Sequence, residues 1–273
     1  MMNNLPPKLV TFDGEARSGK GTIVQYTKDF LRDEHGKKVM LIDAGQVFRV
    51  LVVAATRAGV DMNDLAAIDA FLSDEQQAEE SVELVKLVYH MQKPERDALL
   101  YTNQVGQDSA KVGASALSQS FKDNLLKKWL RDAREEGYEV VLLDGRALEE
   151  VGEQLERDGL CDFVLGLYFT CDSEVGARRT LGLARTAYRD LSSTDKQSVD
   201  ELIEQIDQRN AKDRQRAVQP IIPPAKAPTW HLPQPAPSIS QINRPMLVVD
   251  SSADINKQQM SHPVAGLVAH YLT

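Results

Sequence analysis

The sequence lacks any apolar run near the roughly 20 residues that a membrane-spanning helix needs, so no membrane partner is expected. It has only two cysteines, Cys161 and Cys171, each in or beside an apolar stretch, which favours buried free thiols over a disulfide. No histidine–cysteine cluster has metal-ligand spacing, and no internal repeat is present. Residues 1–7 carry no signal-peptide pattern. We therefore expect a cytoplasmic protein.

Positive charge is also in short supply, since the net charge is −8. This balance disfavours nucleic acid and anionic membranes as partners. Hydrophobic residues make up 42% and charged residues 26% of the 273 residues, which is ordinary for a globular protein of this length. Basic clusters within such an acidic chain are therefore informative.

A phosphate-binding loop is the strongest signal that is present. The apolar run 9–12 predicts a buried strand, and 23–32 predicts a helix. Between them, glycines let backbone N–H groups turn inward toward an anion, and the helix N-terminus adds positive potential. The predicted triphosphate-binding residues are Gly14, Glu15, Ala16, Arg17, Ser18, Gly19, Lys20, Gly21 and Thr22.

Within this loop two side chains have predicted roles. Lys20 can reach the β- and γ-phosphates, and the Thr22 hydroxyl can hold Mg²⁺. The alternative is a glycine-rich strand-to-helix turn with a surface lysine. The loop alone does not identify the group that receives the phosphate.

Two further strands are predicted to end at the same edge as this loop. One ends at Asp43, and Arg49 follows on the next helix; a later strand ends in Asp144-Gly145-Arg146. Strands that alternate with helices predict a parallel sheet, and such sheets bind ligands beyond their carboxyl ends. The alternatives are a solvated arginine for Arg49 and a turn-forming Asp-Gly for Asp144.

Residues 59–112 interrupt the strand–helix alternation. They predict two helices, 61–72 and 73–91, and a short strand at 99–102. We interpret this region as a helical insertion over the acceptor side. A long helical segment, 113–136, returns the chain to the sheet.

Arginines are concentrated later in the chain, around a polar turn. Asp172 is expected to cap a helix containing Arg178 and Arg179, and a second helix is expected over 196–216. Two such helices are typical of a lid that closes over phosphates, here placed at 181–200. The alternative is a surface helical hairpin.

The second helix ends in a narrower motif. Arg209, Asp213 and Arg216 fall on one helical face and can form either a salt-bridge ladder or a nucleotide-binding surface. Residues 221–245 are proline-rich and predict an extended surface segment.

These motifs, in this order, resemble the bacterial cytidylate kinases. The resemblance covers most of the chain except 59–112 and 222–245. It rests on four stretches, Phe12 to Thr22, Asp43 to Arg49, Asp144-Gly145-Arg146 and Arg209 to Pro220.

The resemblance implies a single domain over 1–273 with a three-layer α/β P-loop NTPase fold. Its core would be 1–58, 113–180 and 215–273, with a five-stranded parallel sheet, the helical insertion and the arginine-rich lid. It implies transfer of the γ-phosphoryl group of ATP to CMP or dCMP, with Mg²⁺, in a monomer that binds small nucleotides.

Site roles carried over from the family follow the same motifs. Lys20, Asp144, Arg146, Arg178 and Arg179 would form the catalytic set. The predicted acceptor-binding residues are Asp43, Phe48, Arg49, Arg146, Arg209, Asp213 and Arg216.

Departures from the family leave two other functions open. The family usually has glycine at Arg17, serine at Ala44, tyrosine at Phe48 and aspartate at Ala147. A nucleotide-binding regulatory or low-activity relative is one alternative, and a kinase for another small acceptor is the other.

Overall fold

The computed structural model describes residues 5–217, 219–237 and 245–273. In these residues the strands are β1 (Lys8–Gly14), β2 (Val39–Asp43), β3 (Val140–Asp144), β4 (Asp162–Thr170), β5 (Thr229–His231) and β6 (Met246–Asp250). The helices up to the third strand are α1 (Lys20–Asp33), α2 (Ala44–Arg57), α3 (Leu65–Ser73), α4 (Glu75–His90), α5 (Lys93–Leu100), α6 (Asn103–Val112) and α7 (Ala116–Glu135). Those that follow are α8 (Glu149–Arg157), α9 (Ser173–Thr180), α10 (Ser193–Arg214) and α11 (Lys257–Leu272).

The sheet confirms the predicted α/β class. Its order is β2-β3-β1-β4-β6-β5, and the β1–β3, β1–β4, β4–β6 and β5–β6 pairs are parallel. β1 lies inside the sheet, between β3 and β4, and all of its residues from Leu9 onward are therefore buried. Phe12 pairs with Asp144 in register, which places the carboxyl ends of β1 and β3 side by side.

Helices cover both faces of the sheet, as a three-layer arrangement requires. Apolar residues of α1 and α11, among them Ile23 and Val264, join Val10 in the main hydrophobic cluster. Leu9, the neighbour of Val10, must point to the opposite face and pairs with Phe163. α8 packs there, since a Cβ on Gly152 would lie 2.9 Å from the Phe163 ring.

The sheet has six strands, so the prediction of five was wrong. The additional strand, β5, lies in the segment that we predicted as an extended surface connection. Trp230 on β5 is buried in the main cluster and donates its indole N–H to Gln234 O at 2.7 Å. Burial of this large side chain fixes the segment against β6. Residues 238–244 of the predicted segment lie outside the described residues.

Contacts divide the chain into two compact units, Met1–Ile42 with Leu130–Thr273, and Asp43–Trp129. The first holds the sheet and also α9 and α10, which share a small apolar cluster of Ala177, Leu191, Val199 and Ile206. The predicted lid region 181–200 contains a 3₁₀-helix, Tyr188–Asp190, and the start of α10. α10 begins after Ser192, whose side chain accepts from Asp195 N–H at 3.1 Å.

The second unit contains the predicted insertion and is helical. The short strand expected at 99–102 is absent, because Lys93–Leu100 forms α5 with proline in its first turn, where proline is tolerated. Asn103–Val112 forms α6, which Thr102 caps. Asp74 caps α4 by accepting from Gln77 N–H at 3.0 Å.

Cys161 and Cys171 are free thiols, as predicted; Cys161 is buried, whereas Cys171 is only partly buried. Across the described ranges, no helix combines the length and apolarity that crossing a bilayer requires.

Candidate active site

The donor loop, residues 15–19, connects β1 to α1 through unusual backbone angles. Gly14 has φ 134° and Gly19 has φ 82°, both in the region that favours glycine. A Cβ on Gly14 would overlap the backbone of Phe169, so this glycine also permits close approach of β4. Arg17, a non-glycine residue, has φ 61°. Backbone strain of this kind is concentrated at functional loops.

Hydrogen bonds from three other elements hold the donor loop. Glu15 N–H donates to Phe169 O on β4 at 2.9 Å. Ala16 N–H donates to Asn210 Oδ1 on α10 at 2.9 Å. The hydroxyl of Ser251, which follows β6, lies 2.8 Å from Ser18 O. The loop is therefore fixed by residues far away in sequence.

Lys20 and Asp144 form an ion pair at the carboxyl edge of the sheet. Their side chains are 15% and 13% exposed. Lys20 opens α1, and Asp144 ends β3 beside Phe12 of β1, which brings two of the five predicted catalytic residues together. A phosphate that reaches Lys20 would compete directly with this carboxylate for the ammonium group.

Asp13 is a functional candidate that the sequence analysis missed. It is buried and accepts from Gly14 N–H at 2.6 Å and from Leu148 N–H at 2.7 Å. Burial raises the pKa of Asp13, although these bonds and the positive charge of Lys20 act in the opposite direction. The available signal was its position at the end of an apolar strand, the same signal that identified Asp43 and Asp144.

Tyr168 lies beside Asp13 in the sheet register. Its hydroxyl is buried and has no hydrogen-bond partner among the described residues. Burial raises the pKa of Tyr168, and the charges of Glu15 and Asp13 raise it further. A buried hydroxyl without a partner is rare in folded proteins and costs free energy.

The strongest charge cluster surrounds Asp213 near the end of α10. The guanidinium groups of Arg146 and Arg216 both pair with its carboxylate, Arg216 Nη2 at 2.5 Å from Oδ1. Arg209 Nε lies 3.9 Å from Oδ2. Asp213 is only 3% exposed. The structure therefore brings together four of the predicted acceptor-binding residues.

Three guanidinium groups lie around one carboxylate in this cluster. Burial, followed by the charges of Arg209 and Arg216, lowers the pKa of Arg146 to about 9. Burial also lowers the pKa of Arg216. A bound anion would relieve this repulsion, so the cluster is suited to a phosphate group.

Arg178 and Arg179 on α9 contact a different part of the protein. Arg178 Nη2 donates to Asp254 Oδ1 at 2.9 Å, and Arg179 Nη2 donates to Ala253 O at 2.5 Å. Arg178 is buried and also bonds Glu174 and Thr186 O. These arginines bind the loop that follows β6 and are not among the groups paired with Asp213.

The loop also fits a magnesium ion that binds together with substrate phosphates. Thr22, in the first turn of α1, is exposed, and a Cβ on Gly21 would have no atom within 4 Å. Within the part of the chain that the structure describes, no group of three acidic, histidine or cysteine residues could hold a metal. Mg²⁺ typically needs only one or two protein ligands when phosphates complete its coordination.

In the second unit, Asp43 and Arg49 are joined through Tyr101. Asp43 Oδ1 caps α2 by accepting from Gln46 N–H at 3.0 Å, and Tyr101 Oη donates to Asp43 Oδ2 at 3.2 Å. Arg49 Nη1 donates to Leu100 O at 2.9 Å, and its guanidinium carbon lies 4.6 Å from the Tyr101 ring centroid. Burial, then the charge of Asp43, raises the pKa of Tyr101 to about 12.

Tyr101 was also missed by the sequence analysis, because no local pattern connects it to Arg49.

Phe48 packs against an apolar cluster, and the Lys122 ammonium lies 5.9 Å from its ring. Lys111, on α6, donates to Asp108 Oδ1 at 2.7 Å and to Asn63 Oδ1 at 2.8 Å. Lys111 therefore connects α6 to the loop before α3.

Comparison with known proteins identifies relatives of this chain. A family model described as cytidylate kinase matches residues 10–230. A cytidylate kinase of Pseudomonas putida is 28% identical over 229 residues, which cover 83% of this chain and 88% of that protein. One from Bacillus pumilus is 25% identical over 214 residues, covering 78% and 83%. One from Burkholderia ambifaria is 23% identical over 225 residues, covering 81% and 84%.

The family match includes the donor loop, the Asp144 strand end and the Asp213 cluster. The chain therefore belongs to the cytidylate kinase family, a family of nucleoside monophosphate kinases.

Proposed function

We propose that this protein transfers the γ-phosphoryl group of ATP to CMP or dCMP, giving CDP or dCDP. The observation that carries the proposal is the cluster of Arg146, Arg209 and Arg216 around one buried carboxylate, Asp213. Three guanidinium groups gathered in one place suit the dianionic phosphate of a nucleoside monophosphate. On the same helix, Asn210 is bonded to the donor loop.

On the donor side, the chain's own groups bind and orient the triphosphate. The backbone N–H groups of the loop and the first turn of α1 bind phosphate oxygens. Lys20 exchanges its pairing with Asp144 for the β- and γ-phosphates. Thr22 would hold Mg²⁺, which neutralises charge on the phosphates when bound.

On the acceptor side, Arg146 and Arg216 bind the phosphate, while Arg209 and Asp213 contact the base and sugar. Within the second unit, taken by itself, the residues proposed to bind the acceptor are Asp43, Phe48 and Arg49. Asp144 lies beside the acceptor. Two anions must meet for transfer, so the protein neutralises their charge and aligns the oxygens, and no nucleophilic side chain is needed.

A low-activity or regulatory nucleotide-binding relative is the second candidate. Ala147 stands where the family has a carboxylate, and its φ of 54° places it in the left-handed region. Ala44 and Phe48 also lack the hydroxyls usual in the family. These departures affect the acceptor and turnover more than the donor loop, which would keep its affinity for ATP.

ADP formation with ATP and a panel of acceptors separates these functions. We expect CMP and dCMP to raise ADP output far above that with UMP, AMP or shikimate. Preference for a non-nucleotide acceptor would favour a different kinase. ATP binding without ADP formation above background for any acceptor would favour the regulatory function.

A further inference from the structure

The C-terminal part of α10 carries two sets of residues with different contacts. Arg209 and Asp213 belong to the acceptor cluster. Asn210 and Arg214, four residues apart, contact the donor loop instead. One helical segment of two turns therefore contacts both predicted binding regions.

The bond from Asn210 is the buried and specific contact to the loop. Its Oδ1 accepts from Ala16 N–H at 2.9 Å, and the two residues are 7% and 6% exposed. A buried N–H that loses its acceptor is costly, so this bond strongly restrains the loop. Arg214 also pairs with Glu15, but its side chain is 52% exposed, and exposed pairs contribute little.

Asn210 is also placed to transmit a displacement. It directly follows Arg209 and precedes Asp213 by three residues, and Asp213 holds Arg146 and Arg216. Because successive residues of an α-helix are rigidly connected, a shift at Asn210 moves the carboxylate around which the arginines gather. A displacement of the donor loop would therefore move the acceptor cluster, because both are attached to the same turn of α10.

We propose that Asn210 is a positioning residue that couples the donor loop to the acceptor cluster, so that each nucleotide strengthens binding of the other. Asn210 itself need not touch either nucleotide. The identity of the two ligands rests on the proposed function. Coupling between binding sites is reciprocal, and it commonly changes affinity about 5–150-fold.

The test uses the full chain with Asn210→Leu, which removes the acceptor oxygen, and Asn210→Asp, which keeps one. Gln208→Leu, at an exposed position on the same helix, is the matched control. Titration calorimetry measures the affinity for a non-hydrolysable ATP analogue with Mg²⁺, and the affinity for CMP with and without that analogue. If Asn210→Leu does not fold by circular dichroism, Asn210→Ala replaces it.

We expect Asn210→Leu to weaken analogue binding about tenfold and to remove most of the coupling. Asn210→Asp should restore both, a rescue that a purely space-filling role would not give. Leu-variant affinities within about twofold of the wild type, or no rescue by aspartate, would overturn the proposal. If the wild type binds the analogue but not CMP, the proposed acceptor is wrong. Asn210 is then judged by the analogue affinity alone.

Discussion

The donor loop and the Arg49 region hold their cations in different ways. Lys20 pairs with a carboxylate, Asp144, directly after a loop that is fixed by bonds from β4, from α10 and from Ser251, which follows β6. Arg49 is held by neutral groups, the Leu100 carbonyl and the Tyr101 ring. The difference indicates that the loop is pre-organised around an ion pair, and we propose that phosphate exchanges with Asp144 at Lys20. Arg49 instead contacts neutral groups, and we propose that it pairs directly with an anionic ligand.

The largest expected effect comes from removing the exchangeable cation. Lys20→Ala should lower kcat at least about 1,000-fold, because no other ammonium group opens α1 to meet the developing charge. Steady-state ADP formation measures the loss. Lys28→Ala, on the same helix, is the control. A Lys20 variant within tenfold of the wild type would remove the donor loop from the mechanism.

Removing an arginine from the Asp213 cluster should weaken binding of the acceptor instead. Arg216→Ala should raise the KM for CMP about 10–100-fold, the value of a hydrogen bond to a charged group, while the KM for ATP changes little. Arg157→Ala, an exposed arginine on α8, is the control. An unchanged CMP affinity would mean that Arg216 has been misplaced.

The cluster also predicts a pH dependence. Burial of Arg146 and the charges of Arg209 and Arg216 lower the pKa of Arg146 to about 9. The guanidinium group is therefore charged below that pH and loses its proton above it. The acceptor phosphate is already a dianion there, since its second pKa is about 6. The KM for CMP should therefore rise about tenfold between pH 8 and 10. A flat profile alongside a constant ATP KM would argue against the shifted arginine.

The smallest expected effect comes from removing Tyr101, the uncharged side chain that contacts Arg49. Tyr101→Leu removes the cation–π contact and the bond to Asp43, and should raise the KM for CMP about 2–5-fold. Tyr89→Leu, an exposed tyrosine on α4, is the matched control. If both variants match the wild type, Tyr101 does not position Arg49 for the acceptor.

Local patterns were enough to predict the parts of the fold that depend on neighbours in sequence. The strand–glycine–helix order predicted the loop, and the spacing of Arg209 and Asp213 predicted a shared face on α10. Arg216 was expected on the same face, but α10 ends at Arg214, so Arg216 reaches Asp213 from beyond the helix. The strand end at Asp144 also predicted its place beside the loop. Each of these follows from helix and strand periodicity.

The contacts that hold these groups in place could not be predicted from local sequence patterns. Asn210 meets Ala16 from 194 positions away, and Tyr101 meets Asp43 from 58 positions away. β5 depends on burial of Trp230 in a core that a local pattern cannot reveal. Such contacts are set by tertiary packing, which also overrode the expected strand at 99–102.

Phosphorus NMR of the protein with ATP, Mg²⁺ and CMP tests the central claim most directly. We predict β-phosphate signals of CDP and ADP growing together at equal rates, with neither appearing for Lys20→Ala. Release of inorganic phosphate from ATP without CDP, or no change in the spectrum of the wild type, would contradict the account.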